Sequence, residues 1–346
     1  MPPEMLAAAV AGRDQIEVRR VPVPEPGPGE VRVAVESCGI CGSDLHLFHA
    51  GYFAPGTIPG HEAAGRVDAL GDGVAGLAVG ARVAIEPMRG CGGCASCAAG
   101  LYSICRDAKL HGLHLPGGLA EYVAVPAARA HPVPRGLDAS LAALAEPMAV
   151  VVHALGRGGL RGGQRVLVLG AGSVGLLALV AARHLGAGEV WISARHPHQA
   201  ARAKQLGAAR VLGEAETAPL ALDAIGREAP IDLVVETVGG QADTLRAAAA
   251  AARPGGVVSV VGLFLGAPAL DPTALLLKEL TLAWSYCYGA APGARADFAA
   301  ALDVIDGARD ALAPLVTQRF ALGDVARAFA AADDRRGGAV KIQIQP

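Results

Sequence analysis

The sequence predicts an α/β protein of two domains, and three observations carry that prediction. Residues 1–147 hold short β-like runs divided by Gly/Pro punctuation such as Pro24 to Gly29 and Gly71 to Gly76. Near Pro147 the pattern changes to buried strands alternating with Ala-rich helical segments. A glycine turn, Gly170-Ala171-Gly172-Ser173-Val174-Gly175, then joins the first of those strands to its helix. Strand and helix in alternation mean a parallel sheet, because a parallel pair needs a crossover connection. The predicted boundaries are 1–147 for a β-rich domain, completed by 289–346, and 148–288 for a doubly wound parallel sheet.

Each element has its own signal. Alternation over Leu6 to Val10 and Gln15 to Val21 predicts two short strands, and Val31 to Glu36, Ala64 to Ala69 and Ala81 to Pro87 predict three more. The parallel sheet is predicted at Arg165 to Leu169, Glu189 to Ser193, Arg210 to Leu212, Leu233 to Glu236 and Gly256 to Val261. Beyond Gly289 come a helix near Asp297 to Ile305, a strand at Arg319 to Ala321, a helix from Asp324 and a strand over Ala339 to Ile344.

Bulk composition removes several function classes. Thirty basic against 32 acidic side chains give a net charge of −2, without the basic patch that nucleic acid or an anionic membrane surface requires. At 52% hydrophobic and 18% charged, the composition suits a globular enzyme. The apolar runs, such as Val174 to Ala182, read as too short to span a bilayer. Met5 to Gly12 has no basic residue before it and does not read as a signal peptide. A cytoplasmic protein is expected.

Cys91, Cys94, Cys97 and Cys105 form C-x2-C-x2-C-x7-C, with small residues between the first three. Four thiolates so spaced can close a tetrahedron around a structural zinc, a site with no position left for chemistry. The competing reading, two disulfides, suits a small secreted domain and not a chain of this length. The glycine turn follows Val166-Leu167-Val168-Leu169 and opens an apolar helix, which is the context that gives G-x-G-x-x-G its meaning. Gly170 permits the tight turn, Gly172 lets backbone approach a pyrophosphate, and Gly175 allows close helix–strand packing. Ser173 and Val174 start the helix, whose free N–H groups favour the anion.

A second cluster combines Cys41-Gly42-Ser43-Asp44-Leu45-His46 with Gly60-His61-Glu62, and Glu146-Pro147 follows at the domain seam. A catalytic zinc takes three protein ligands and keeps one position open, an arrangement already established for alcohol dehydrogenase. Cys41 and His61 fit that need, with Glu62 or Glu146 as the third ligand.

At these residues the chain resembles the zinc-dependent medium-chain alcohol and polyol dehydrogenases. C-G-I-C-G-S-D-L-H, P-G-H-E, the four-cysteine loop, E-P-M-A and the nucleotide turn all occur in that family's order over nearly the whole chain. The resemblance implies a GroES-like catalytic domain, a Rossmann dinucleotide-binding domain, two zinc ions per chain and a homo-oligomer, tetramer or dimer. It implies that Cys41 and His61 are ligands, that Glu62 is a direct or exchanging ligand, and that Glu146 stands where sorbitol dehydrogenases have their third ligand. Asp44 would accept a hydrogen bond from His61, and Ser43 and His46 match the proton-relay positions. Further dinucleotide contacts are implied at Val238, Gly262 and Lys341. The resemblance places substrate contacts at Phe48, His49, Tyr52, Leu113 to Leu115 and Ser285-Tyr286, in a cleft between domains. Ser285 replaces the arginine of the sorbitol dehydrogenases, which argues against a sorbitol-like polyol.

The expected reaction moves a hydride between an alcohol, or the matching carbonyl compound, and a nicotinamide dinucleotide. NAD-specific folds carry an acid about 20 residues beyond the turn to hold the ribose hydroxyls. Here that position is Ala194, between Ser193 and Arg195-His196, so NADP is expected, with NAD possible. A biosynthetic carbonyl reductase and a non-catalytic dinucleotide-binding zinc protein are the competing readings. Intact Cys41, Ser43, His61, Glu62 and Glu146 count against the second of these.

Overall fold

The computed structural model describes residues 3–334 and 336–346. The chain forms two compact units, one of the residues up to Glu146 with Gly289–Pro346, the other Pro147–Tyr288. The first opens with a hairpin, β1 (Glu4–Gly12) and β2 (Gln15–Pro22), then β3 (Glu30–Gly39), helix α1 (Gly42–Ala50), β4 (Glu62–Leu70) and β5 (Arg82–Ile85). The short pair β6 (Met88–Arg89) and β7 (Lys109–Leu110) brackets the four-cysteine loop with its single turn α2 (Ala95–Ala98). β8 (Tyr122–Pro126), β9 (Ala130–Pro132) and α3 (Ala139–Ala142) follow.

α4 (Ala145–Arg157) leads into the second unit. Its parallel strands and connecting helices run β10 (Arg165–Leu169), α5 (Ser173–His184), β11 (Glu189–Ser193), α6 (Pro197–Gln205), β12 (Arg210–Leu212), α7 (Pro219–Glu228), β13 (Ile231–Glu236), α8 (Thr244–Ala251), β14 (Ala252–Val260), α9 (Pro272–Leu277) and β15 (Thr281–Trp284). The chain then returns to the first unit with α10 (Asp297–Gly307), α11 (Arg309–Leu312), β16 (Val316–Ala321), α12 (Val325–Asp333) and β17 (Lys341–Gln345).

In the first unit β3 is the hub of a seven-stranded sheet ordered β16-β17-β3-β4-β5-β9, with β8 also paired to β3. Val31, Val33 and Val35 alternate inward along β3, as period-2 side chains must, and meet Val67, Val83, Ile85, Val123 and Val125. α1 and α12 cover this core with Leu45, Phe48, Val325 and Phe329. β1 departs from simple alternation, because Ala7 to Val10 are all buried. Ala8 and Val10 join the main core, whereas Met5 and Ala7 pack with Ile58 and Ala120 in a separate small cluster.

The second unit is a six-stranded sheet, ordered β12-β11-β10-β13-β14-β15 and parallel throughout. This is the 3-2-1-4-5-6 order of the doubly wound Rossmann arrangement, whose strand order reverses between β10 and β13. The stretch Ala139–Arg157 corrects one sequence expectation. It is long and apolar enough to cross a membrane, but 83% of it is buried within the protein, as suits a core helix.

Helix α1 is held by an edge-on contact between Phe48 and Phe329, ring centroids 5.1 Å apart. Both rings are buried, at 6% and 3% exposure. Phe329→Ala should therefore destabilise the protein by about 3–5 kcal/mol, the usual cost of emptying a buried aromatic site. Urea unfolding followed by far-UV circular dichroism checks this, and a loss below about 1 kcal/mol would show that the site collapses freely.

Candidate active site

β3 ends at Gly39, Cys41 is the N-cap of α1, and β4 begins at Glu62, so the antiparallel register of β3 and β4 decides what meets here. Gly39 stands opposite Glu62, and the ligand atoms of Cys41, His61 and Glu62 all lie within 4.8 Å of one another. Gly39 is required at its position, because a Cβ there would sit 2.0 Å from Glu62 Oε2. His61 follows Gly60, whose φ of 94° is left-handed and whose absent side chain leaves room for Leu119 and Cys38.

Asp44 organises the cluster. It is 1% exposed, one oxygen accepts the Cys41 backbone N–H at 3.0 Å, and the other lies 3.2 Å from His61 Nδ1. The same carboxylate thus caps α1 and fixes the histidine ring, leaving Nε2 for a ligand role. Burial alone would hold the His61 imidazolium down, but Asp44 and Cys41 pull its pKa well above the ordinary value. Burial, with Glu62 and Asp44, pushes Glu146 up to about 7. Glu62, Cys41 and Glu146 act on the buried Lys341 ammonium, and Asp44 adds a further carboxylate facing His61. The donor set is therefore one that a divalent cation would balance, and sulfur, imidazole and carboxylate together suit zinc.

Lys341 differs from its sequence expectation. The resemblance implies a contact with the dinucleotide, but β17 pairs with β3 and carries Lys341 into this cluster. Its ammonium is 3% exposed and donates to both Glu62 oxygens at 2.7 Å and to the Ile40 carbonyl at 3.3 Å. Glu62, not Glu146, shares the 4.8 Å grouping with Cys41 and His61. Ser43 and His46 are half-buried, three residues apart on α1, and therefore share one face of the helix.

The four cysteines also converge, their sulfurs all within 4.8 Å, and the Cys91 N–H points at Cys105 Sγ at 3.4 Å. The Cys97 backbone N–H draws Cys94 down to about 6. Cys97, although helped by the Gly92 N–H, is pushed up to about 11 by burial and the other three sulfurs. Four sulfurs this crowded cannot all ionise unless a cation joins them, so the loop fits a metal, and all four are free of disulfides.

In the second unit Gly170 takes φ 100°, and a Cβ on Gly175 would lie 1.9 Å from the Gly170 carbonyl. Gly172 precedes α5 with no side-chain cap, Gly172 is exposed, and Ser173 and Val174 are half-buried, so the helix start is open to an anion. The Ser193 hydroxyl accepts the Gly170 N–H at 2.8 Å, tying the end of β11 to the turn. Ala194 is buried, and Arg195 is exposed with Glu214 3.8 Å from its Nε. His196 is the N-cap of α6 and stacks on His198, centroids 5.5 Å apart, a neighbour that His196-Pro197-His198 presents in the sequence. Val238 is 42% exposed, and Gly262 fits against Glu236 and Gly239.

The expected substrate contacts separate. Phe48 is a core residue, and His49 points away to Asp14 and Asp333, at 2.6 and 3.4 Å, at the opposite end of α1 from Cys41. The helix period explains it, since α1 cannot present Ser43, Phe48 and His49 on one face. Tyr52 is 71% exposed. The Leu113 to Leu115 segment belongs to a loop laced to the irregular segment before His61, through Gly117 N–H to the Ile58 carbonyl and Gly118 N–H to the Gly60 carbonyl. Ser285 Oγ is buried with no hydrogen-bond partner among the described residues, and Tyr286 is exposed.

A cysteine–histidine–carboxylate cluster, a four-cysteine loop and a dinucleotide fold define a zinc-binding oxidoreductase. Residues 27–135 match the alcohol dehydrogenase GroES-like domain and residues 173–307 the zinc-binding dehydrogenase family. The chain is 32% identical to 2-dehydro-3-deoxy-L-galactonate 5-dehydrogenase of Pseudoalteromonas atlantica, over 96% of this chain and 97% of that one. It is 34% identical to the sorbitol dehydrogenase of Bacillus subtilis over 76% of each. A candidate zinc-binding dehydrogenase from Sinorhizobium meliloti 1021, solved bound to NADP, superposes with a TM-score of 0.89 at 31% identity, covering 99% of this chain and all of that one. The chain belongs to the zinc-dependent medium-chain alcohol/polyol dehydrogenase family.

Asp44 yields a direct test. Replacing it with Asn keeps its size but removes the charge facing His61, and such outer partners are worth about 10–100-fold in metal affinity. Metal analysis of the wild type should return two zinc equivalents, and Asp44→Asn should surrender one of them to a chelator about 10–100-fold more readily. Equal retention would leave Asp44 a helix cap only.

Proposed function

We propose that this protein is a zinc-dependent dehydrogenase that moves a hydride between a small alcohol or polyol, or the corresponding carbonyl compound, and NADP. The grouping of Cys41, His61 and Glu62 beside Ser43 and His46 carries the reading, because a dinucleotide-binding protein without chemistry has no use for an open metal site. Cys41, His61 and Glu62 would hold the ion, with Glu146 close at hand, and zinc there would supply a Lewis acid to the substrate oxygen. The four-cysteine loop would hold a second, structural zinc.

Ser43 receives the proton that an alcohol releases, and His46, on the same face of α1, passes it towards solvent. Asp44 keeps His61 in one tautomer throughout. The hydride leaves the alcohol carbon with its electron pair for the nicotinamide ring, so alcohol oxidation balances dinucleotide reduction, and the opposite direction uses the same groups. Ser43→Ala should lower kcat by about 10²–10⁴-fold with dinucleotide affinity intact. A variant near wild-type turnover would move the proton to Glu62 or Glu146.

NADP is favoured by the absence of an acid at Ala194 and by Arg195, whose forked guanidinium suits a phosphate. The NADP bound by the Sinorhizobium meliloti relative supports the same choice. Glu214 is the group a 2′-phosphate displaces from Arg195. Arg195→Ala should cost roughly ten- to hundredfold in kcat/KM for NADP and spare NAD. A panel of alcohols, polyols and ketones, run with both dinucleotides and followed at the reduced-nicotinamide absorbance, tests the whole reading. Turnover with no member of it, or higher kcat/KM with NAD, would overturn the activity or the dinucleotide choice respectively. We also propose a homo-oligomer, for which the edge strand β15 and its exposed Trp284 are available.

A further inference from the structure

One buried carboxylate lies outside all the roles above. Glu236 ends β13, directly opposite Leu169, the last residue of β10 before the glycine turn. It is 0% exposed and follows Leu233, Val234 and Val235, all fully buried. A strand chosen for stability alone would continue with an aliphatic residue here, because burying a charge is costly unless its partners are complete. They are not complete. Oε1 accepts the Val238 N–H at 2.8 Å, the Gly239 N–H at 3.0 Å and the Thr244 hydroxyl at 2.7 Å, while Oε2 has no partner among the described residues.

Those three bonds shape a second turn, residues 237–240, at the point where the sheet order reverses. Gly239 and Gly240 take left-handed φ of 58° and 64°. Thr237 donates from its hydroxyl to the Leu169 carbonyl at 2.7 Å, and Val238 occupies the space a Cβ on Gly170 would need. A third turn closes over the carboxylate. Val261 and Gly262 N–H groups reach the Glu236 carbonyl, Gly240 N–H reaches Leu263, and a Cβ on Gly262 would sit 2.4 Å from Oε2. The buried carboxylate therefore fixes the turn after β13, which in turn packs against the glycine turn through Val238 and against the turn after β14 through Gly262.

We propose that Glu236 is a positioning residue for the dinucleotide: its carboxylate sets the 237–240 turn and so holds Val238 beside the glycine turn, in the half of the sheet that takes the nicotinamide mononucleotide. The proposal rests on the dinucleotide-binding reading. β10 to β12 form the half in which the glycine turn and the end of β11 take the adenosine side, leaving β13 to β15 for the other half. Loss of the carboxylate should then weaken the whole dinucleotide but not its adenosine half.

The test titrates the full-length zinc-loaded protein with NADP and with 2′,5′-ADP, and with NAD and AMP if the wild type prefers NAD. Glu236→Ala should raise the dinucleotide Kd at least about tenfold, the effect of losing hydrogen bonds to a charged group, and leave the adenosine-half Kd within about twofold. Glu236→Gln keeps an oxygen for the three donors and should recover most of the affinity. Thr244→Val removes one donor and should weaken the dinucleotide alone, so it decides the matter if the alanine variant does not fold. An unchanged dinucleotide Kd in the folded variants, equal weakening of both probes, or glutamine failing as badly as alanine each overturns the proposal. Wild-type protein that binds neither dinucleotide overturns this inference together with the reading beneath it.

Discussion

The ion pair between Glu62 and Lys341 is the constraint on which the catalytic-side unit depends. Both side chains are almost fully buried, and an ionised group removed from water is tolerated only when it is paired and its geometry is good. The partners lie 279 residues apart, so the pair exists only once the C-terminal strand has docked against β3. That docking lets Ile40 N–H bond to Ile342 and the Ile40 carbonyl accept from Lys341. Removing one member of such a pair costs about 3–5 kcal/mol, because the other remains buried and uncompensated. The same lysine holds Glu62 next to Cys41 and His61, which makes the pair part of the site as well as of the core.

Charge explains why the metal cluster is built as it is. Acidic groups outnumber the one buried lysine, His61 is drawn towards the cationic state, and Glu146 towards the neutral one. The charge count and the His61 response both suit an added cation, whereas burial is the first cause of the Glu146 shift. Asp44 gives the arrangement its precision, since one carboxylate both caps α1 at Cys41 and orients His61. The start of the helix and the ring that faces it cannot move independently. The four-cysteine loop expresses the same principle in sulfur, where one lowered and one raised thiol mark a set that awaits a cation.

The dinucleotide unit depends instead on close approach. Gly170, Gly175, Gly239 and Gly262 each occupy places where a side chain would collide with a neighbouring turn. The turns after β10, β13 and β14 consequently interlock, and rigid turns present their exposed backbone and apolar side chains without an ordering cost at binding.

The sequence by itself determined the first five strands of the parallel sheet and the residue types of the candidate metal ligands. Strands β10, β11 and β12 fall on the residues that the periodicity indicates, because strands buried on both faces read as short apolar runs between turn residues. Cys41, His61, Glu62 and the four cysteines were legible because few residue types bind metal and their spacing is local. Tertiary structure decided the pairings. Nothing local tells that Lys341 meets Glu62, that Gly39 makes room for it, or that the turn Glu236 holds packs against the glycine turn. Nor does local pattern say that Phe48 enters the core while His49 turns to Asp14 and Asp333. Each of these follows from strand register or helix phase between distant segments, and a sequence encodes those only through the packing that the folded chain completes.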